Sequence, residues 1–452
     1  MKKSKIKEEI LTKEPIYDEV LSEKGIEEDK KEISYKDILK QKEYMKTVVA
    51  AVINRFGDAV DGVAFTWLVY ILTESAAWSA FIFGVNKLPS IFLQPFAGAI
   101  VEGKNKKRIM VTADIIRAAC VGVIIMMYLT GTLNKEALVI NTLVISGVEA
   151  FRCPAGTAIL PKILEKKYYD FGLSLQNGIC GIIDLIGLAI GGVIIATIGI
   201  SGAMYIDLAT FIISALIIVT LKVKEKDLRK QKLNIKEHFQ SMADGFRYVK
   251  RNKKMFYFLI LALFLNAMLV PINCLEAPIV KEIFHRTEVM LSVVGVTLSL
   301  GMLLSSFIYP YLKKVLSEKT ILTIGSYGIA FLYIGFYLCG KMYPGTLLQA
   351  VVAVVITFVS GMFISLMSSL INIEVVKNID EKYLARIMAL MAATAMAAMP
   401  ISSFLVTALA NVMSLENILL MVGCVDMLGS YYLVTGFADN KKEKTVEMIV
   451  SE

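Results

Sequence analysis

Residues 84–117 read GVNKLPSIFLQPFAGAIVEGKNKKRIMVTADIIR. An apolar helix runs to Val101, a tight polar turn follows, and a second apolar helix begins near Ile109. The turn holds Glu102 and Gly103, then Lys104, Asn105, Lys106, Lys107 and Arg108. Four cations between two apolar helices place this turn on the cytosolic face of a membrane by the positive-inside rule. Gly98 sits one helical turn before Glu102, where a missing side chain lets another helix approach closely.

The rest of the chain has the same character. Of 452 residues, 56% are hydrophobic, and the mean hydropathy is +0.63. Apolar blocks near membrane-spanning length recur along it, as in a polytopic helical membrane protein. The net charge of +8 does not point to nucleic acid, because the cations lie in short loops and tails and not on one face of a domain. The six cysteines (Cys120, Cys153, Cys180, Cys274, Cys339, Cys424) stand singly in apolar segments without ligand or CxxC spacing, and read as small buried packing residues. His238 and His285 fall in loops. No metal site or cofactor is expected.

Residues 1–44 are dense in Lys and Glu and cannot bury a core; they read as a cytosolic polar tail, with 33–45 as a short helix at the interface. About twelve spans follow, at 46–73, 78–101, 108–130, 136–161, 172–198, 201–222, 255–282, 288–311, 319–339, 345–376, 383–411 and 416–437. They group as 45–222 and 255–437, joined by a polar linker at 223–254 and followed by a tail at 438–452. In the linker, Phe239, Met242, Phe246 and Val249 form one stripe of an amphipathic helix. The loops with Lys104–Arg108, Lys162–Lys167, Lys313–Lys319, Lys377–Arg386 and the linker are basic, whereas the opposite set holds only Lys135, Lys281, Arg286 and Lys341. Both termini are therefore expected in the cytosol, with the protein in the plasma membrane. A faint repeat relates the segment from Gly84 to the one from Gly295, as two parallel six-span halves would.

Charges inside spans carry the functional signal, because each costs roughly 2.5–3.5 kcal/mol at the bilayer centre on insertion scales. In span one, Asn54, Asp58 and Asp61 share a helix face, and Arg55 stands three residues before Asp58 as a candidate partner. Lys87, near the middle of span two, is a second candidate counter-ion for this acid pair. Glu149 and Arg152 in span four read either as a site or as an internal ion pair, with Pro154 loosening the helix behind them. Asp184 in span five has no cation on its own helix and is a reserve proton carrier. Asp114 and Arg117, nearer the cytosolic end of span three, read as structural partners, and Asp207 as a local hydrogen-bond anchor. Glu276 and Asp426 are the acids well inside the second half. Two like charges in a low-dielectric cavity do not both ionise cheaply, so one of Asp58 and Asp61 is expected to hold a proton.

Several motifs resemble the major facilitator superfamily. The turn at 98–108 is similar to its signature loop between the second and third helices: Gly98, Lys106, Lys107 and Arg108 match, while Glu102 stands for Asp, Gly103 for a basic residue and Asn105 for the second glycine. The segment RFGD in span one, Leu88-Pro89, Asp114-x-x-Arg117 and PAGTAILP (Pro154 to Pro161) resemble the branch that includes macrolide-efflux and siderophore-export proteins. GLAIGG (Gly187 to Gly192) resembles the glycine-rich element of drug–proton antiporters, with Leu188 where its proline stands. The resemblance implies an all-α membrane protein with twelve helices in two six-helix bundles, rocking about a central cavity. It implies a secondary transporter exporting amphipathic small molecules in exchange for protons. Glu102 is expected to gate by contacting Arg386 at the start of span eleven. A lipid or metabolite carrier, or a membrane sensor without transport, is the alternative. An enzyme is disfavoured by the lack of a nucleotide-binding loop, metal cluster or nucleophile with a positioned base. A small-molecule substrate, protons and the bilayer are the expected partners, and a monomer the expected state.

Overall fold

The computed structural model describes residues 35–223, 246–247, 249–250, 252–342, 346–377, 379 and 381–451; side chains are excepted at 35, 95, 99, 102, 253–254, 342, 381–386, 389 and 436–451. These residues are helical almost throughout. A short helix, α1 (Tyr35–Leu39), precedes α2 (Lys42–Thr73), α3 (Ala76–Glu102), α4 (Lys106–Leu129) and α5 (Lys135–Ile163). Then come α6 (Tyr169–Val219), α7 (Lys253–Pro278), α8 (Glu288–Val315), α9 (Glu318–Met342), α10 (Leu347–Lys377), α11 (Glu381–Ala410) and α12 (Leu415–Ser451). Side-chain caps make short turns between long apolar helices feasible. Asn105 Oδ1 accepts from the Arg108 amide at 2.7 Å and Asn134 Oδ1 from the Ala137 amide at 2.8 Å.

Among the described residues, ten helices are long and apolar enough to cross a membrane. Helix α2, which carries Arg55, Asp58 and Asp61, is not among them. Helix α6 counts once but has two legs, because Gly199 breaks it with φ 79 and ψ 171. That backbone region belongs to glycine, so the turn expected between spans five and six is a single-residue hinge.

Helix α2 packs along α6, α3 against α5, and α4 against α5 and α6; in the second half α10 packs on α8 and α9, and α9 on α12. The halves meet where α3 touches α11 and α6 touches α8. The two glycines that begin the sequence repeat serve these two contacts. A Cβ at Gly84 would stand 2.9 Å from the Phe404 ring of α11, and one at Gly295 would stand 3.1 Å from Leu188 of α6. Repeat positions thus occupy equivalent places in the interface.

The contacts that join the halves cluster at the end away from the basic turn. Tyr70 Oη donates to Glu282 Oε1 at 2.7 Å, the Gly192 amide donates to Ser292 Oγ at 2.7 Å, and Ser403 Oγ donates to the Ala80 carbonyl. Phe81 and Phe404 add an aromatic contact at 5.8 Å. Glu282 sits in a π-turn, Ile279–Ile283, that extends α7.

Several expectations are corrected. The helix at 35–39 packs on the bundle through one face: Ile38 is fully buried among Tyr44, Val48, Leu160 and Leu164 while Leu39 is exposed, and Tyr44 Oη donates to the Gly172 carbonyl at 2.6 Å. Cys153 and Cys424 are exposed and Cys120 and Cys180 half-buried, leaving Cys274 and Cys339 as the buried cysteines. Of the linker stripe, Phe239 and Met242 lie outside the described residues; Phe246 is exposed and Val249 buried in the core. Gly98 borders open space, since a Cβ there meets nothing within 4 Å. Only that face of the helix is open, since Ala97 and Val101 on either side are buried.

Candidate functional site

The 3.6-residue period of α2 puts Asn54, Asp58 and Asp61 on the face turned to α4 and α6. Arg117 of α4 answers them. Its Nη2 lies 2.6 Å from Asp58 Oδ1, and its Nη1 donates to Asn54 Oδ1 at 3.4 Å. The guanidinium stacks on the Phe211 ring of α6 at 4.1 Å, a second attraction available to a weakly hydrated planar cation. Asn54 Nδ2 reaches Asp114 Oδ1 at 3.5 Å. Asp114, fully buried, takes both Arg152 Nε and Nη2 from α5 and the Ser214 hydroxyl from α6, the last at 2.7 Å. One polar chain therefore links α2, α4, α5 and α6. Buried charges persist only when paired and hydrogen-bonded in this way.

A second pair joins α2 to the first leg of α6, with Arg55 Nε 2.5 Å from Asp184 Oδ1. Asp184 is therefore not the unpartnered carboxyl expected: the cation expected for Asp58 pairs with it. Arg152 turns to Asp114 on a neighbouring helix, and Glu149 lies at the cavity wall. Lys87 stands over the Phe83 ring at 5.2 Å; Asp58 takes its cation from Arg117 instead.

Two cavities meet at these charges. The outer one, about 510 Å³, reaches the basic end of the bundle past Thr47, Met110, Ile163 and Leu173. The inner one, about 330 Å³, is lined by Asp61, Phe65, Phe83, Lys87 and, from the second half, Asn273 and Cys274. Arg55, Asp58, Arg117 and Glu149 line both. The arrangement offers acids, cations and aromatic faces to a ligand entering from the basic end.

Of the residues singled out in the sequence, Asp58, Asp61, Lys87 and Glu149 gather at the inner cavity, and Arg152 and Asp184 at the outer one. Glu276 is half-buried on α7 and lines neither. At the basic turn, Lys106 is buried, and Lys107 Nζ donates to the Leu221 carbonyl at 2.9 Å. The Glu102 and Arg386 side chains of the expected gate lie outside the described residues. Arg117 and Asp114 are central here although their spacing suggested a peripheral pair. The one hint was that two charges so far into an apolar span need a reason.

Residues 37–449 match the family described as transmembrane secretion effector, of the major facilitator type, and the chain belongs to that family. It is similar to an uncharacterized MFS-type transporter of Bacillus subtilis, YkuC, with 26% identity over 64% of this chain and 69% of the relative. It is 21% identical to macrolide efflux protein A of Streptococcus pyogenes over 79% of this chain and 87% of that protein. It is 24% identical to the multidrug efflux pump Tap of Mycolicibacterium fortuitum, over 81% and 89%. Its fold matches the nucleoside transporter NupG with a TM-score of 0.69 at 13% identity, covering 87% of this chain and 99% of that one. The protein is a multi-pass membrane transporter of the major facilitator type.

Proposed function

From membership of this family we propose that the chain is a proton-coupled secondary exporter of amphipathic small molecules, working by alternating access. The observation that carries the reading is a set of intramembrane carboxylates lining a cavity that reaches the basic end, while the halves are in contact at the other. By the positive-inside rule the open end is cytosolic, and both termini lie there. Twelve passages through the plasma membrane, in two six-helix bundles of residues 45–222 and 255–437, account for the ten apolar helices, the second leg of α6 and α2. A cavity of about 330 Å³ suits a small molecule.

In this mechanism a cationic, amphipathic substrate enters from the cytosol and lies against Phe65 and Phe83. It competes with a proton for the carboxylates of α2. Closure at the basic end brings α3 towards α11, with Gly98 giving room for the approach and Glu102 meeting Arg386; Lys106 and Lys107 hold the turn. The macrolide and multidrug relatives support the substrate class.

The test is transport in everted vesicles with one carboxyl neutralised at a time. Asp58→Asn or Asp61→Asn is expected to abolish pH-driven export while leaving substrate binding measurable. Asp184→Asn, which removes an ion-pair partner, is expected to keep pH dependence. Normal transport in both α2 variants, with failure of the Asp184 variant, would move the proton site to α6 and overturn the assignment.

A further inference from the structure

Asp207 is the buried acid that the polar chain leaves over. It lies on the second leg of α6, is 1% exposed, and its Oδ1 has no hydrogen-bond partner among the described residues. It presses on α2: a Cβ at Gly57 would stand 2.7 Å from that oxygen and 2.0 Å from Thr210 Oγ1. Asp61 follows Gly57 by one helical turn. The helices packed on α6 are α1, near its start, and α2, α4 and α8. Asp61 and Asp58 from α2 and Arg117 from α4 are the charges around Asp207, while α8 brings Ser292 and the backbone of Glu288 and Val289 to Gly192. On its own helix, Thr210 donates to the Asp207 carbonyl.

Most cations of the site are already paired. Arg117 pairs with Asp58, Arg152 with Asp114 and Arg55 with Asp184, while Lys87 stands over the Phe83 ring at the inner cavity wall. Asp61 and Asp207 stand outside these pairs: Asp207 abuts Gly57 of α2, and Asp61 lies one helical turn further along that helix. Two carboxylates there cannot both ionise without large cost, and one proton relieves both. We propose that Asp61 and Asp207 form a carboxylic acid pair across the α2–α6 contact, holding one proton, and that this pair is the coupling-proton site. The inference rests on the proton-coupled reading above and names the residues that carry it. Asp61 lines the cavity and meets the substrate; Asp207 stands behind it. Phe211 and Ser214 follow Asp207 on the same helix face, under Arg117 and against Asp114, so the charge of the pair is felt along the whole polar chain.

The experiment is an infrared titration of the purified full chain, with tetraphenylphosphonium as the cationic probe, alongside proton-driven transport in vesicles. Wild type is expected to show a protonated-carboxyl stretch at neutral pH that the probe removes. The nearly isosteric Asp207→Asn is expected to lose that stretch, because Asp61 alone faces the cavity water and ionises, and to lose pH-driven transport. Should that variant not fold, Asp61→Asn serves: the stretch is expected to persist on Asp207 and to ignore the probe. A stretch missing from wild type, or unchanged in Asp207→Asn while transport stays proton-driven, overturns the pair. If wild type shows no proton-driven transport yet the stretch vanishes in Asp207→Asn, the acid pair stands and the antiport reading fails.

Discussion

Arg117 holds the polar interior together. Its guanidinium pairs with Asp58 at 2.6 Å, stacks on Phe211 at 4.1 Å and is 5% exposed. Removing it leaves the Asp58 carboxylate, 25% exposed at the cavity wall, without its ion-pair partner and empties the space over the Phe211 ring. Arg117→Ala is therefore expected to lower the thermal midpoint of the purified protein markedly. Arg117→Met combined with Asp58→Asn should restore most of that stability without restoring transport. An alanine variant as stable as wild type would show the pair to be weak. A gentler test sits at the start of α2, where Glu43 accepts from the Lys222 amide at 2.7 Å and from Lys46 Nζ at 2.9 Å. These bonds hold its carboxyl below the usual range. The stability they contribute is present above the unfolded value of about 4.3 and is lost as pH falls through the lowered folded value. Glu43→Gln should thus melt earlier than wild type at neutral pH and match it in acid. At this scale the sequence was legible in kind and depth but not in pairing. Asp58, Asp61, Lys87 and Glu149 were recognisable because a charge in an apolar span needs a reason. Same-helix spacing suggested Arg55 with Asp58 and Glu149 with Arg152, whereas the pairs at Asp58, Asp114 and Asp184 all run between helices. Periodicity says which face a side chain takes, and nothing in it says which helix lies opposite.

Helices meet across the two halves through glycines, and these decide how closed one end can be. Gly192 of α6 is the tightest example. A Cβ there would stand 2.5 Å from the Glu288 carbonyl oxygen and 2.9 Å from the Val289 Cα. Both are backbone atoms, so no rotamer change relieves the clash, and overpacking of this kind costs about 1–3 kcal/mol. Gly192→Ala is expected to push α6 from α8 and bias the molecule away from the arrangement described. Cys274, 2% exposed and lining the inner cavity, reports this directly. In a background without the other five cysteines, Gly192→Ala should speed its labelling by an impermeant maleimide from the end opposite the basic turn. An unchanged rate would mean that this contact does not close the end. Gly98 makes the contrast, since a Cβ there touches nothing within 4 Å. The GLAIGG element was readable as a run of small residues that permits close packing. Which of its glycines meets α2 and which meets the other half depends on the crossing of helices far apart in the chain.

At the scale of the molecule, blocks of apolar sequence made the helical membrane class and nearly every helix end legible, because length and hydropathy are local properties. The repeat between Gly84 and Gly295 was faint in identity, yet its two glycines serve equivalent contacts between the halves. What could not be read was the state of the assembly, met at one end and open at the other, which depends on a balance of contacts between halves. The linker bears on that balance. The residues just before it are anchored, with the Lys222 amide on Glu43 and the Leu221 and Thr220 carbonyls on Lys107 and Lys46. Near its end Val249 is 1% exposed and belongs to the hydrophobic core. These anchors lie outside 224–236, whose composition is polar and charged. A connector of that composition tethers by its length, and changes to it cost little. Replacing 224–236 with a Gly/Ser segment of equal length is therefore expected to retain transport in everted vesicles. Val249→Asp, which places a charge in the core, should instead lower the thermal midpoint. If the Gly/Ser chain inserts correctly and fails to transport, the linker does more than join the halves.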